Sequence, residues 1–269
     1  MEPYGLIAGN GRFPFLVLHA ARNRNIAMVV AAVREETFPE IEQAAGKVRW
    51  LGIGQLGALI EYFKAEGVRK ALMAGQVKHV KIFSDAVPDW RMVRLLAKLP
   101  RKSTDSLIGA VAEELSREGI ELIDSTAFLQ PLLAPHGLLA GPIPSENQKR
   151  DVAYGTSVAR EIARLDLGQT IAVKDQAVVA IEAMEGTDAV IRRAGELCGG
   201  GFAVIKVSKP NQDMRFDVPV VGLQTVESMA AAAATLLAVD AGRTLMLDRE
   251  EMTAKAKAHG ISILGEEPR

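Results

Sequence analysis

The sequence predicts an α/β protein with two domains, the first of them a Rossmann-like sheet covered by helices. Short apolar runs alternate with amphipathic segments through the first half of the chain, a pattern that favours a parallel sheet with covered faces. Prolines and glycines concentrate between residues 131 and 144, where they indicate a linker. A second set of strands and helices follows, and 269 residues are enough for two domains.

The N-terminal domain is expected to span residues 1–130. Its strands are short apolar runs, and its helices place apolar residues three and four positions apart. The serine or threonine at positions 103 and 104 is a candidate cap for the helix that stops at Gly119. In chain order, the pattern predicts strand 5–8, helix 13–24, strands 26–33 and 48–53, helix 56–65, strand 70–74, helices 90–99 and 105–117, and strand 121–123.

The linker is expected at residues 131–144, and a C-terminal mixed α/β domain at residues 145–269. Ser145 is a candidate N-cap for the first helix of this domain. A hairpin is expected around Asp175, and an alanine-rich run suggests a helix. In chain order, the pattern predicts helix 146–165, hairpin strands 170–173 and 178–183, helix 187–197, strand 202–207, helix 226–239, strand 244–247, helix 250–258 and strand 261–264.

Composition narrows the classes of function. The net charge is −1 with acids and bases interspersed, so the basic excess that nucleic-acid binding needs is absent and no nucleic acid is expected as a partner. Cys198 stands alone and the four histidines are scattered, which argues against a disulfide and a zinc site and favours a reducing compartment. No secretion signal is recognised, and the longest apolar runs fall short of the roughly 20 residues that span a bilayer.

The first candidate site is the turn Gly9-Asn10-Gly11-Arg12 between the first strand and the first helix. Backbone N–H groups in such a turn can bind an anion, helped by the helix N-terminus, and Arg12 is a natural phosphate contact. The dinucleotide-binding fingerprint needs a third glycine where this chain has Pro14. A tight turn that needs glycine only for its backbone dihedrals is an equally good interpretation.

The second candidate site is the run 182–188, which joins a strand to a helix and contains Glu182, Glu185, Thr187 and Asp188. Thr187 or Asp188 is suited to capping that helix. On a solvated surface these carboxylates are unremarkable. At the mouth of a cleft, the pKa values of these carboxylates would be raised, or the carboxylates would hold a divalent cation.

The third candidate site is the charged loop 206–219, which follows a predicted strand and carries two lysines, an arginine and two aspartates. Pro210 and Pro219 prevent this loop from forming a regular helix or a β-ladder. Carboxylates for a metal and cations for phosphate oxygens fit phosphoryl chemistry. A solvated loop with mutually neutralising charges is the alternative. A functional site is favoured because catalytic groups concentrate on loops held by a scaffold.

Five segments resemble the LpxI-type UDP-2,3-diacylglucosamine pyrophosphatases, and the resemblance covers essentially the whole chain. These segments are residues 6–11, 166–169, 182–188, 209–219 and 241–244. Asn10 and Asn211 stand where the family is expected often to carry glycine. Both are expected in turns where asparagine tolerates left-handed geometry, with little change in function.

The resemblance implies two domains with the active site between them, and a step of lipid A biosynthesis. It implies hydrolysis of UDP-2,3-diacylglucosamine to UMP and 2,3-diacylglucosamine 1-phosphate (lipid X) with Mg²⁺ or Mn²⁺. Water is implied to attack the phosphorus on the sugar side, and the lack of a Cys or Ser paired with His also argues for direct water attack. A lipid-linked UDP-sugar substrate implies a cytoplasmic protein that is peripheral at the inner face of the cytoplasmic membrane. A homodimer is left open.

Charge density and the resemblance together assign roles to the candidate residues. Catalytic roles are predicted for Asp213, Asp217, Thr187 and Lys209. Substrate binding is predicted for Gly9, Asn10, Gly11, Arg12, Gln169, Lys206, Gln212 and Arg215. Metal binding is predicted for Asp213, Asp217, Glu182, Glu185 and Asp188. The sequence leaves open which of the two loop aspartates is essential.

Two other hypotheses come from different classes of protein. One is a nucleotide-dependent oxidoreductase that uses the N-terminal domain, against which the missing third glycine counts. The other is a protein that binds UDP-linked lipid without catalysis, which binding without turnover would reveal.

Overall fold

The computed structural model describes residues 2–34, 36–77, 88–99 and 104–268, without the side chains of residues 104 and 105. The chain divides into two compact units. The first unit is Met1–Leu129 together with Asp213–Asp217, and the second is Gln130–Gln212 together with Val218–Arg269. Within the described ranges, no helix has the length and apolar character to cross a membrane.

The first unit contains a five-stranded sheet. Its strands are β1 (Tyr4–Ala8), β2 (Met28–Val33), β3 (Val48–Leu51), β4 (Lys70–Ala74) and β5 (Glu121–Leu122). Their order is β3-β2-β1-β4-β5, and every neighbouring pair is parallel, which confirms the predicted parallel sheet. The direction of strand addition reverses between β1 and β4, as in doubly wound folds.

The described helices of the first unit are α1 (Phe13–Asn23), α2 (Ile41–Ala44), α3 (Leu56–Ala65), α4 (Trp90–Lys98) and α5 (Thr104–Arg117). Helix α3 buries Leu56, Leu59, Ile60 and Phe63, and this spacing of three and four residues produces one apolar face. The sequence does not predict α2, since a helix of four residues is too short to show a period. The predicted cap of α5 at position 103 or 104 lies outside the described side chains.

The second unit contains a six-stranded mixed sheet and a separate pair of short parallel strands. The strands are β6 (Gly137–Ala140), β7 (Thr170–Lys174), β8 (Ala177–Ile181), β9 (Ala203–Lys206), β10 (Val220–Val221), β11 (Leu236–Asp240), β12 (Leu245–Met246) and β13 (Ser262–Glu266). The large sheet has the order β6-β13-β11-β9-β7-β8. Strands β9, β11 and β13 run parallel, whereas β6, β7 and β8 pair antiparallel with their neighbours.

The described helices of the second unit are α6 (Glu146–Arg164), α7 (Thr187–Cys198), α8 (Leu223–Ala231) and α9 (Arg249–Ala258). The predicted cap of α6 is confirmed. The Ser145 hydroxyl accepts a hydrogen bond from the Gln148 backbone N–H at 3.3 Å, and the Gln148 side chain accepts one from the Ser145 N–H at 2.9 Å. This capping box satisfies two helix-terminal donors.

The prediction of one helix over residues 226–239 is wrong. Helix α8 ends at Ala231, Ala233 has a positive φ of 53°, and the chain then forms β11. Strand β11 lies between β9 and β13 and is buried along its whole length. A short apolar run that is buried on both faces has no period that separates strand from helix, and the alanines before it favour helix.

The segment 131–144 contributes a strand to the second sheet, since β6 pairs antiparallel with β13. Gly141 in this segment allows a tight backbone approach. Gly141 has a φ of +78°, and a Cβ there would lie 2.0 Å from the Ile261 carbonyl oxygen. The segment predicted as a linker therefore also supplies an edge strand of the sheet.

Candidate functional site

In the second unit, a chain of polar side chains joins the end of β9 to the start of α7. Lys206 Nζ donates a hydrogen bond to Thr187 Oγ1 at 2.7 Å, and Thr187 Oγ1 donates to Glu182 Oε1 at 2.8 Å. Thr170 Oγ1 lies 3.2 Å from Thr187 Oγ1. Because the single hydroxyl hydrogen of Thr187 goes to Glu182, the Thr170 hydroxyl donates to Thr187. Three residues predicted for the site are thus in direct contact.

Gln169 extends this network to the charged loop. Its backbone N–H donates to Glu182 Oε2 at 3.2 Å, and its Nε2 donates to the Val207 carbonyl at 3.2 Å and to Gln212 Oε1 at 2.7 Å. Gln212 Oε1 also accepts from the Lys209 N–H at 2.6 Å. The two glutamines therefore fix the path of the loop after β9.

An ion pair ties the same loop to the turn before β7, and that turn packs closely against Glu182. Lys209 Nζ lies 2.8 Å from Asp166 Oδ1. A Cβ on Gly168 would lie 2.1 Å from the Glu182 carbonyl oxygen, so only glycine allows this close approach. The run 166–169 and Glu182 are consequently packed as one piece.

A buried carboxylate that the sequence analysis missed anchors the end of β9. Asp240 is only 1% exposed. Its Oδ2 accepts from the Ser208 N–H at 2.7 Å, and its Oδ1 accepts from Arg160 Nη2 at 3.0 Å. The signal that could have identified it is a single acid at the end of an otherwise apolar strand, directly before the segment 241–244.

The loop residues Asp213–Asp217 belong to the first unit, where Ser125 anchors them. The Ser125 N–H donates to the Met214 carbonyl at 2.9 Å, and its hydroxyl donates to the Arg215 carbonyl at 2.6 Å. The Asp217 N–H donates to the Asp213 carbonyl at 3.0 Å. Asp213 and Asp217 therefore stand at the two ends of one turn.

Arg215 pairs with Asp213 through two nitrogens. Arg215 Nε lies 2.9 Å from Asp213 Oδ1, and Arg215 Nη2 lies 2.6 Å from Asp213 Oδ2. This hydrogen-bonded guanidinium lowers the pKa of the Asp213 carboxyl below its usual range. Asp213 therefore stays ionised and is a weak proton acceptor.

The turn Gly9–Arg12 is tied to the chain after β4. The Asn10 N–H donates to the Gln76 carbonyl at 2.8 Å, and the Asn10 carbonyl accepts from the Gln76 N–H at 3.1 Å. A Cβ on Gly9 would lie 2.7 Å from the Gln76 carbonyl oxygen. Gly9 and Asn10 thus have a packing role. The expected left-handed geometry at Asn10 and Asn211 is wrong, because neither is among the described residues with positive φ.

The predicted metal ligands do not form a cluster within either unit. Both Glu182 oxygens accept hydrogen bonds from Thr187 and Gln169. Glu185 accepts from the Ala183 N–H and from Arg193, while Asp188 lies in the first turn of α7. Among the residues that the structure describes, no group of three or more His, Cys, Asp or Glu is arranged to hold a metal ion.

Two family models match the chain. Residues 3–132 match the LpxI N-terminal domain, and residues 135–264 match the LpxI C-terminal domain. The UDP-2,3-diacylglucosamine pyrophosphatase LpxI of Caulobacter vibrioides is 33% identical over 279 residues, which cover 100% of this chain and 99% of that protein.

Two solved structures give weaker matches. Phosphoribosylglycinamide synthetase from Anaerococcus prevotii has 10% identity and a TM-score of 0.27, over 70% of this chain and 34% of that one. CobK precorrin-6A reductase has 10% identity and a TM-score of 0.28, over 100% of this chain and 91% of that one. At these scores neither structure bears on fold or function. The two family models and the full-length match to the Caulobacter protein, by contrast, show that the chain belongs to the LpxI family.

Proposed function

We propose that the protein hydrolyses the pyrophosphate bond of UDP-2,3-diacylglucosamine to UMP and 2,3-diacylglucosamine 1-phosphate, a step of lipid A biosynthesis. The observation that carries this proposal is the full-length match to a protein named for that substrate. The contacts of Lys206, Thr187 and Gln169 support it, because they lie in or beside the segments that carry the family resemblance.

The proposed phosphate contacts are Lys206, Lys209 and the first turn of α7. A diphosphate carries charge that must be compensated before water can attack, and lysine side chains provide this compensation. Thr187 is the first residue of α7, where the backbone N–H groups of a helix favour anions. The contact between Lys206 and Thr187 brings both features to one place.

Asp217 is the proposed acceptor of the proton of the attacking water. Arg215 contacts both carboxylate oxygens of Asp213 and lowers the pKa of that carboxyl, which makes Asp213 a weak base. We therefore propose that Asp213 holds Arg215, and that Asp217 acts on the water.

The family resemblance is the basis for two further parts of the proposal. One is dependence on Mg²⁺ or Mn²⁺, for which we assign no ligands because the described carboxylates do not cluster within either unit. The second is a cytoplasmic protein that acts peripherally at the inner face of the membrane, where its lipid-linked substrate resides. The homodimer that the sequence leaves open has no basis in the resemblance and stays a prediction.

The test is an assay of the purified full chain with UDP-2,3-diacylglucosamine, in which UMP is quantified by chromatography. Release of UMP is expected, and its dependence on Mg²⁺ or Mn²⁺ is measured by adding and removing a chelator. In ¹⁸O-labelled water, the label is expected in the lipid 1-phosphate and not in UMP. Tight binding of the substrate without any UMP at any metal concentration would contradict the enzymatic proposal.

A further inference from the structure

Glu182, Thr170 and Lys206 lie side by side across three neighbouring strands of the second unit. Thr170 begins β7 and is the register partner of Lys206, which ends β9. On the other side of β7, the Glu182 N–H donates to the Thr170 carbonyl at 2.9 Å, directly after the end of β8. The side chains of all three residues contact the Thr187 hydroxyl, at distances of 2.7–3.2 Å. The sheet therefore places this row of residues around one hydroxyl group.

The hydrogen-bonding capacity of the Thr187 hydroxyl is fully used. A hydroxyl has one hydrogen to donate and two lone pairs to accept with. Thr187 donates to the carboxylate of Glu182 and accepts from Lys206 and Thr170. Because Glu182 takes the only hydrogen, both lone pairs are directed at the two donors. Glu182 thus determines that Thr187 presents an acceptor to the Lys206 ammonium group.

The surroundings of Glu182 favour a fixed orientation of its carboxylate. The residue is only 8% exposed, and a buried carboxylate needs hydrogen bonds and a nearby positive charge. Its Oε1 accepts from Thr187 and its Oε2 accepts from the Gln169 N–H. The ammonium group of Lys206, on the other side of the Thr187 hydroxyl, supplies the charge. Each oxygen of Glu182 therefore already accepts a hydrogen bond from a donor within the unit.

We propose that Glu182 is a positioning residue, which fixes the Thr187 hydroxyl and thereby holds the Lys206 ammonium group beside the first turn of α7. Helix α7 begins after Gly186, which has no side chain to cap it, and the N–H groups of a helix N-terminus favour an anion. The phosphate at this point rests on the proposed function. The hold on Lys206 does not, because it follows from contacts within the unit. Glu182 acts only through Thr187.

The variant Glu182→Gln tests this role, because it keeps the size of the side chain and replaces one oxygen by an NH₂ group. If the NH₂ group faces Thr187, it competes with Lys206 for the lone pairs of the hydroxyl. If it faces Gln169 instead, two donors oppose each other and the Gln169 N–H loses its acceptor. Either orientation of the amide disrupts the network that holds Lys206.

The first measurement is the rate at which acetic anhydride acetylates Lys206 in the substrate-free full chain, followed by mass spectrometry. Glu182→Gln is expected to raise this rate about tenfold, since a hydrogen bond to a charged group is lost or weakened. The matched control is Asp151→Asn. Asp151 is also a buried carboxylate of the second unit, 3% exposed, and it accepts from the N–H groups of Asp175 and Gln176.

Asp151→Asn is expected to lower stability in the same way as Glu182→Gln, and to leave the acetylation of Lys206 unchanged. An unchanged rate in Glu182→Gln, or an equal rise in both variants, would overturn the proposal. Because this measurement uses no substrate, it tests the hold on Lys206 even if UMP release fails and the proposed function falls.

Thr187→Val removes the hydroxyl through which Glu182 acts, so it should raise the acetylation of Lys206 by a similar factor. Adding Glu182→Gln to Thr187→Val should then produce no further rise, whereas effects that multiply would overturn the proposal. If Glu182→Gln does not fold, Thr187→Val decides alone, and a wild-type rate of acetylation would overturn the proposal.

The second measurement is UMP release. Glu182→Gln is expected to reduce kcat/KM by about tenfold or more, because Lys206 is held less firmly against the charge of the substrate. The loss should persist when the Mg²⁺ concentration is raised, since a positioning residue does not bind the metal. Full recovery of UMP release at high Mg²⁺ would instead assign Glu182 to metal binding and overturn the proposal.

Discussion

Lys206 and Thr187 are joined by a hydrogen bond of 2.7 Å between Nζ and Oγ1, although they are 19 positions apart in the chain. The bond places a positive charge at the N-terminus of α7, directly after the end of β9. Both features favour an anion at the same point. The relationship is the strongest structural reason to place phosphate contacts in the second unit.

Replacing Lys206 by alanine is expected to reduce kcat/KM for UDP-2,3-diacylglucosamine by about 10²–10³, the usual loss when one charge-stabilising donor is removed from an active site. Thr187→Val is expected to give a smaller loss, because Lys206 keeps its charge. Lys149→Ala is the matched control, since Lys149 forms an exposed ion pair with Glu146 and such pairs contribute little to stability. Equal activity of Lys206→Ala and Lys149→Ala would exclude Lys206 from the site.

The two aspartates of the turn should respond differently to amidation. Asp217→Asn is expected to reduce kcat by about 10²–10⁴, the range attributed to a general base. Asp213→Asn is expected to lose less, because it removes only the partner of Arg215. UMP release by both variants is compared at equal folded fraction, measured by circular dichroism. The reverse order of activities would assign the essential role to Asp213.

The Asp213–Arg215 pair also predicts a pH dependence of stability. Arg215 lowers the pKa of Asp213, so the pair stabilises the folded protein above the ordinary aspartate pKa of about 3.9, and this contribution is lost as pH falls through the lowered pKa. Because the pair is partly exposed, its contribution should lie in the range of about 0.2–1 kcal/mol. Urea unfolding of wild type and Asp213→Asn is expected to differ by this amount at pH 7 and to converge in acid. A difference that persists unchanged in acid would contradict this explanation.

The sequence predicts local structure well where one periodicity dominates. The parallel sheet of the first unit and the capping box at Ser145 follow from short-range patterns. Strand β11 does not, because its burial on both faces removes the alternation that identifies a strand. Lys206 and Thr187 can each be selected as polar residues at an element end, but their contact depends on the order of strands in the sheet. No local pattern contains that order.

Asp240 is a second residue whose contacts no local sequence pattern predicts, and its contribution to the free energy of unfolding can be measured. It ends an apolar strand, and its buried carboxylate holds Arg160 and the Ser208 N–H. Asp240→Ala leaves the Arg160 charge without this partner, which costs about 3–5 kcal/mol for a buried pair. Chemical denaturation measures the loss. Glu161→Ala is the matched control, because Glu161 pairs with Arg164 at an exposed position, and its cost should stay below about 1 kcal/mol.

Gly168 offers a test of how tightly the site is packed. A Cβ at this position would lie 2.1 Å from the Glu182 carbonyl oxygen, a backbone atom that no rotamer change can move. Gly168→Ala must therefore shift Glu182 or Gln169, and a displacement of about 1 Å in a site can cost about 10²-fold in rate. The expected result is a loss of that size in UMP release together with a lower melting temperature.

The control for Gly168→Ala is Gly109→Ala in α5, where a Cβ would meet no described atom within 4 Å. Alanine in a helix is favoured over glycine by about 0.5–1 kcal/mol. Gly109→Ala should thus raise the melting temperature and leave UMP release unchanged, because α5 has space for the added methyl group. If Gly168→Ala instead behaves like Gly109→Ala, the backbone of residues 166–169 shifts without disturbing Glu182. The close packing of residues 166–169 against Glu182 then has no part in catalysis.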